Sequence, residues 1–88
     1  MKVEFRNSFL RDLRGLRGQP ILTRIRAAIE EAENSSTLNE ISQLTRLQGG
    51  GNFYRIRVSD YRLGLIIEDD IIIFVRCLHR REIYRYFP

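Results

Sequence analysis

The 88-residue chain reads as one α+β domain, residues 1–88, ordered β-α-α-β-β-β, with a helical hairpin packed on one face of a small, mainly antiparallel sheet. Three observations predict this. Apolar residues recur at helical spacing between Phe9 and Ala32, the period changes to two from Phe53 onward, and the length suffices for a single core. A hydrophobic content of 43% beside 30% charged residues is globular, so the elements have something to bury.

The elements follow in order. "MKVEF" alternates and starts the chain as a short strand. Ser8 can cap a first helix in which Phe9, Leu13 and Leu16 share a face and Arg11, Arg14 and Arg17 follow on another. Gly18 stops that helix and Pro20 opens a second, with Ile21, Ile25, Ala28, Ile29 and Ala32 on one side. Glu30, Glu31 and Glu33 lie near its end, against the helix dipole, and "NSST" closes it. Leu38, Ile41 and Leu44 suggest a short helical turn. "QGGGN" at 48–52 reads as a connector: a glycine run cradles phosphate beside a helix N-terminus, and here a strand follows. "FYRIRV", "YRLGLII" and "IIIFVRC", joined by "SD" and "EDD", form an antiparallel meander.

Composition narrows the chemistry. The net charge is +4, and of the fifteen basic residues only Lys2 is lysine. Arginine is the side chain suited to bidentate phosphate contacts and to stacking on bases, although a genome rich in G and C also favours it. Cys77 is alone in an apolar run and reads as a small buried hydrophobe, which excludes a disulfide framework. One cysteine and one histidine do not make a zinc site of the usual kind. Neither a leader pattern nor an apolar run approaching about 18 residues is evident, so a cytoplasmic protein without a membrane partner is expected.

The arginines concentrate in "YRIRVSDYR", residues 54–62. With Ser59 and Asp60 as the turn, Val58 pairs with Tyr61, Arg57 with Arg62, Ile56 with Leu63, and Arg55 faces Gly64. Alternation then puts Tyr54, Ile56, Val58, Tyr61, Leu63 and Leu65 toward the helices and Arg55, Arg57 and Arg62 on the opposite face. Like charges facing one another across a sheet are destabilising, and no carboxylate of these strands neutralises them. An anionic partner explains the arrangement, with Gly64 opening space for it. "LHRREIYRYF" adds His79, Arg80, Arg81, Glu82, Tyr84 and Arg85 just beyond the last strand, where they can fold over the arginine face. His79, set among arginines and tyrosines, is a candidate for acid–base chemistry or base stacking.

"YRIRVSDYR" and "HRREIYRY", in that order, make the chain resemble the RelE/ParE superfamily of toxins from bacterial toxin–antitoxin systems, in its RelE-like branch. The resemblance covers nearly the whole chain. It implies a RelE-like fold and a ribosome-dependent mRNA endonuclease that enters the vacant A site and cuts the codon there. Its implied partners are mRNA, the ribosome and a cognate antitoxin protein. By the same resemblance, Arg55 and Arg57 bind and polarise phosphate, and Arg62 stabilises charge on the scissile phosphate. Arg80, or its neighbour Arg81, does the same from the terminal segment, and Tyr84 stacks on a base or assists proton transfer; Arg85, from its place in the basic terminal segment, is a further candidate RNA contact. RNA carries its own 2′-hydroxyl nucleophile, so the implied reaction requires no serine, cysteine, metal or other cofactor.

One departure shifts the mechanism. The branch has lysines where Arg55 and Arg57 stand, and arginine does not give up its proton. Proton transfer then falls to His79, Tyr84 or Glu82. Three other functions compete: a ParE-like inhibitor of DNA gyrase acting by protein contact, a non-catalytic nucleic-acid-binding module, and a degenerate toxin kept only as an antitoxin partner.

Overall fold

The structure, a computed structural model, describes residues 1–88. The strands are β1 (Lys2–Phe5), β2 (Leu44–Arg46), β3 (Phe53–Val58), β4 (Tyr61–Glu68) and β5 (Ile71–His79). Helices α1 (Asn7–Arg14) and α2 (Gln19–Asn34) follow β1, a 3-10 turn spans Leu38–Glu40, and a short α3 (Ile83–Tyr86) ends the chain. The sheet order is β1-β5-β4-β3-β2, antiparallel except where β1 runs parallel to β5.

The expected β-α-α-β-β-β order holds, with β2 and α3 added to it. Leu44 was expected in a helical turn and is instead in β2, opposite Ile56; the turn stops at Glu40, where Thr37 and Glu40 close a capping box. Two helix boundaries also differ from expectation. Helix α1 ends at Arg14 with Gly15 as its cap, not at Gly18, because Gly18 takes φ 108° to start α2 just before Pro20. Ser8 is not the cap of α1. The helix begins one residue earlier, and the Ser8 hydroxyl donates to the Val75 carbonyl at 2.6 Å.

That bond belongs to a larger arrangement. β1 covers β5 only from Ile71 to Phe74, leaving residues 75–79 without a strand neighbour on that side. Helix α1 lies there instead: Ser8 takes the Val75 carbonyl, and the Asp12 carboxylate accepts the Cys77 N–H at 2.9 Å. The acidic end of α2 also has a use. Glu31 accepts the Ser42 N–H and hydroxyl at 2.8 and 3.0 Å, and the N-terminal ammonium donates to the carbonyls of Glu33 and Ser35. A cation on the last carbonyls of α2 offsets the dipole cost of its glutamates.

The helices cover one sheet face with a core that includes Phe9, Ile25, Ile56, Leu63, Leu65, Ile72 and Phe74. Ile83 and Phe87 are equally buried but lie outside that cluster. They anchor the C-terminal segment on the other sheet face, where the Phe87 ring meets Phe53 edge-on at 5.7 Å and packs against Gly64.

Candidate functional site

The hairpin register is the expected one: Val58 opposite Tyr61, Arg57 opposite Arg62, Ile56 opposite Leu63 and Arg55 opposite Gly64. Ser59 adopts φ 55°, the left-handed conformation that lets a two-residue turn without glycine keep this register. Ile56, Val58, Leu63 and Leu65 are buried under the helices, which leaves Arg55, Arg57 and Arg62 on the opposite face. Gly64, however, opens no space for a ligand. A Cβ there would lie 2.8 Å from the Phe87 ring, so the glycine is needed to seat the C-terminal segment rather than a partner.

Each arginine is held differently. Arg57 is exposed and has neither a hydrogen bond nor an ion pair of its side chain. Arg62 is half-buried, and its Nη1 donates to the carbonyls of Ser59 and Tyr61 at 3.0 and 2.9 Å, which fixes it against the turn. Its pKa is lowered first by burial and then by repulsion from Arg57, Arg55 and Arg80, with Asp60 acting in the opposite direction. Arg80 therefore belongs to the same field. Its backbone N–H donates to the Asp60 carbonyl at 2.7 Å, and its guanidinium lies 3.8 Å from the exposed Asp60 carboxylate, a loose pair. The guanidinium of Arg55 lies 5.4 Å from the ring centre of Tyr84, itself 63% exposed.

His79 is not brought to this cluster. It is the register partner of Tyr61, so alternation sends its ring toward the helices, edge-on to Tyr61 at 5.5 Å. There it lines a cavity of about 300 Å³ with Arg11, Asp12, Leu16 and Glu82. Its Nδ1 accepts the Arg81 N–H at 3.2 Å, which holds the turn leading into α3 and leaves the neutral ring's proton on Nε2. Glu82 sits on that same side. Arg81 and Arg85 are exposed in the terminal segment and make no ion pair.

Sequence reasoning missed the parts that aim the terminal segment. Arg76 forms a bidentate pair with Asp12, at 2.8 and 3.2 Å, and its guanidinium lies 5.7 Å from the Tyr86 ring centre. The pKa of Arg76 is raised, first by the hydrogen bond it donates to Asp12 and with Coulomb attraction adding to it, against the effect of burial. α1, β5 and α3 are thereby linked through one guanidinium. The i, i+4 spacing of Ile83 and Phe87 was the available signal for a terminal apolar anchor.

A β-α-α-β fold with a basic, tyrosine-flanked sheet face opposite its helices defines a class, and comparison with known proteins identifies it. A family profile described as ParE toxin of type II toxin–antitoxin system, parDE, matches residues 3–84. The chain is 46% identical to Toxin RelE3 of Methanocaldococcus jannaschii over 89 aligned positions, covering all of both chains. It also resembles the RelB–RelE antitoxin–toxin complex from Methanococcus jannaschii, with a TM-score of 0.81 and 44% identity over 97% of this chain and 99% of that one. The archaeal RelE–RelB complex from Pyrococcus horikoshii shares the fold, with a TM-score of 0.72 at 22% identity over 90% and 93% of the two chains. The chain belongs to the RelE/ParE family of type II toxins and is a RelE-like member.

Proposed function

We propose that the protein is a ribosome-dependent mRNA endonuclease that cleaves codons in the A site and arrests translation. The observation that carries this reading is the assembly of Arg55, Arg57, Arg62 and Arg80 into one electrostatic field beside Tyr84. In the proposed reaction the 2′-oxygen attacks the adjacent phosphorus and the bond to the 5′-oxygen breaks, so charge accumulates on the non-bridging oxygens. Arg57 and Arg62 face each other across that position, Arg80 joins them from the terminal segment, and Arg55 holds the flanking nucleotide. Arg81 and Arg85 steer the RNA backbone from the rim. One well-placed donor contributes about 3–4 kcal/mol to such a transition state, so three or four are sufficient apparatus.

Tyr84 contacts the RNA directly in this scheme, and His79 supports the turn behind it. Comparing Tyr84→Phe with Tyr84→Ala separates a role of the ring from a role of the hydroxyl. In this reading the chain acts in the cytoplasm and is silenced by a cognate antitoxin; the similar Methanococcus jannaschii protein forms a RelB–RelE antitoxin–toxin complex, which supports such a partner.

Mapping of cleavage on programmed ribosomes tests the reading: the parent should cut within the A-site codon, and Arg62→Ala should cut at least about 100-fold more slowly. Intact mRNA under those conditions overturns it. A gyrase supercoiling assay run alongside would reveal the ParE-like activity if that is the one present.

A further inference from the structure

Beside Arg55 lies a groove of about 420 Å³ lined by Thr45, Arg46, Leu47, Gln48, Arg55, Tyr84 and Pro88. One wall is β2 and its continuation into the glycine run. The other is the terminal segment. From the terminal segment only Tyr84 and Pro88 line the groove, neither of them an anion-neutralising group, and the volume lies in the range of roughly 300–1,000 Å³ usual for small-molecule clefts. Its lining groups are of a particular kind: an exposed aromatic ring, two planar guanidinium groups, a carboxamide and a hydroxyl.

We infer that this groove seats the base of the nucleotide flanking the scissile phosphate, and that Gln48 and Thr45 set codon preference by reading its edge. Spacing carries the first half of the inference. Residues two apart on a strand are separated by roughly 6.6 Å, the scale of one nucleotide step in an extended single strand. A phosphate between Arg57 and Arg62 therefore puts the neighbouring nucleotide at Arg55, at the mouth of the groove. Register carries the second half. Thr45 is the cross-strand partner of Arg55, so its side chain shares the arginine face, and Gln48 continues the same wall. A planar base between Tyr84 and the β2 wall meets stacking surface on one side and hydrogen-bonding side chains at its edge. The Gln48 carboxamide offers both a donor and an acceptor, the combination that discriminates bases. Arg46 is already engaged, donating to the Gly51 carbonyl at 3.0 Å with its guanidinium 5.9 Å from the Tyr54 ring centre, and so serves as framework.

The inference rests on the proposed nuclease reading, and two measurements separate its failure from that one. The first follows backbone amide shifts by NMR while 5′-AMP, 5′-CMP, 5′-GMP, 5′-UMP or inorganic phosphate is added to the free protein. Perturbation of Thr45, Leu47 and Gln48 by mononucleotides, differing among the bases and not reproduced by inorganic phosphate, is expected. The second maps the distribution of cleavage among codons on programmed ribosomes for the parent, Gln48→Ala and Thr45→Val. The ratio between preferred and disfavoured codons should shift about fivefold or more in Gln48→Ala. Inorganic phosphate reproducing every shift, or codon ratios unchanged in both variants, overturns the inference while leaving the nuclease reading intact. Base-dependent shifts in a protein that cuts no mRNA would support the groove and defeat the nuclease reading.

Discussion

Arg57 is where charge repulsion can be measured with least interference, because its side chain has no hydrogen bond or ion pair to lose. Arg57→Gln removes the charge and keeps most of the stem. Directly opposed residues on a sheet have Cβ atoms about 4.5–5.5 Å apart; taking about 7 Å as the scale for two arginine charges splayed from such positions, Coulomb repulsion is about 0.6 kcal/mol at the dielectric constant of water and about 2.4 at an effective value of roughly 20. Screening at physiological ionic strength, with a Debye length of about 8 Å, reduces this to about 0.3–1 kcal/mol. That matches the scale of about 0.2–1 kcal/mol for directly opposed residues on a sheet. The variant should therefore melt about 1–8 °C higher than the parent in a chain of this size, followed by circular dichroism. In 1 M salt the Debye length falls to about 3 Å and the two curves should nearly coincide. Arg62→Gln is the informative contrast: it relieves the same repulsion but gives up two hydrogen bonds to the turn, so its net change should be close to zero. On ribosomes Arg57→Gln should cut about 100-fold more slowly or worse. A salt-independent loss of stability, or cleavage at the parent rate, refutes the assignment of Arg57 to the bound phosphate.

Four further outcomes follow from the geometry. Gly64→Ala forces the Phe87 ring off the sheet and should cost about 1–3 kcal/mol in thermal unfolding, and Gly64→Ala with Phe87→Ala should cost less than the sum of the two single changes; an unperturbed melting temperature would contradict the packing described. Asp12→Asn weakens the bidentate grip on Arg76 and should cost about 2 kcal/mol, a fall of about 8–16 °C, with α3 amides exchanging faster; a neutral result removes the link between α1 and α3. His79→Gln, which can still accept the Arg81 N–H, should cleave at close to the parent rate with an unchanged pH profile, whereas a collapse of activity would restore the histidine as a proton carrier. Cys77 is buried and its thiol is pushed up to about 12, chiefly by burial, so a disulfide reagent at pH 8 should label it only on unfolding, and rapid labelling of native protein would show otherwise.

The meander was legible because both its signals are local. Alternation assigns faces, a two-residue turn fixes register, and together they put Arg57 opposite Arg62 before any tertiary contact is considered. What was not legible depends on partners distant in sequence. β2 has only three residues, and its strand character comes from pairing with β3, so the apolar spacing of Leu38, Ile41 and Leu44 read equally well as a helical turn. Ser8 has the composition of a cap, but its bond goes to a strand 67 residues away. Plain alternation from Ile72 and Phe74 would put His79 on the arginine face; the bulge opposite Gly64 and Leu65 adds Val75, reverses the parity beyond it and makes His79 the partner of Tyr61 on the helix side, a shift that the local pattern does not announce.

The two faces of the sheet divide the work of the molecule. The helix face holds the twelve-residue core, and most of the folding free energy must originate there. The other face carries uncompensated arginines that oppose folding, held down chiefly by Ile83 and Phe87. Such a surface persists only if the core opposite has stability to spare, and Ile83 and Phe87, a terminal plug, both bury apolar area and aim α3. Phe87 fits only because Gly64 has no side chain, and through α3 that fit sets where Tyr84 stands relative to Arg55. A substitution in the main core should therefore lower the melting temperature and leave the relative positions of the arginines and Tyr84 intact. A substitution at this terminal plug should also cost stability, since Ile83 and Phe87 are as buried as the core, and should in addition misplace Tyr84. The position of Tyr84 is thus set from one face of the sheet, while stability draws on both, so only core changes can alter one without the other.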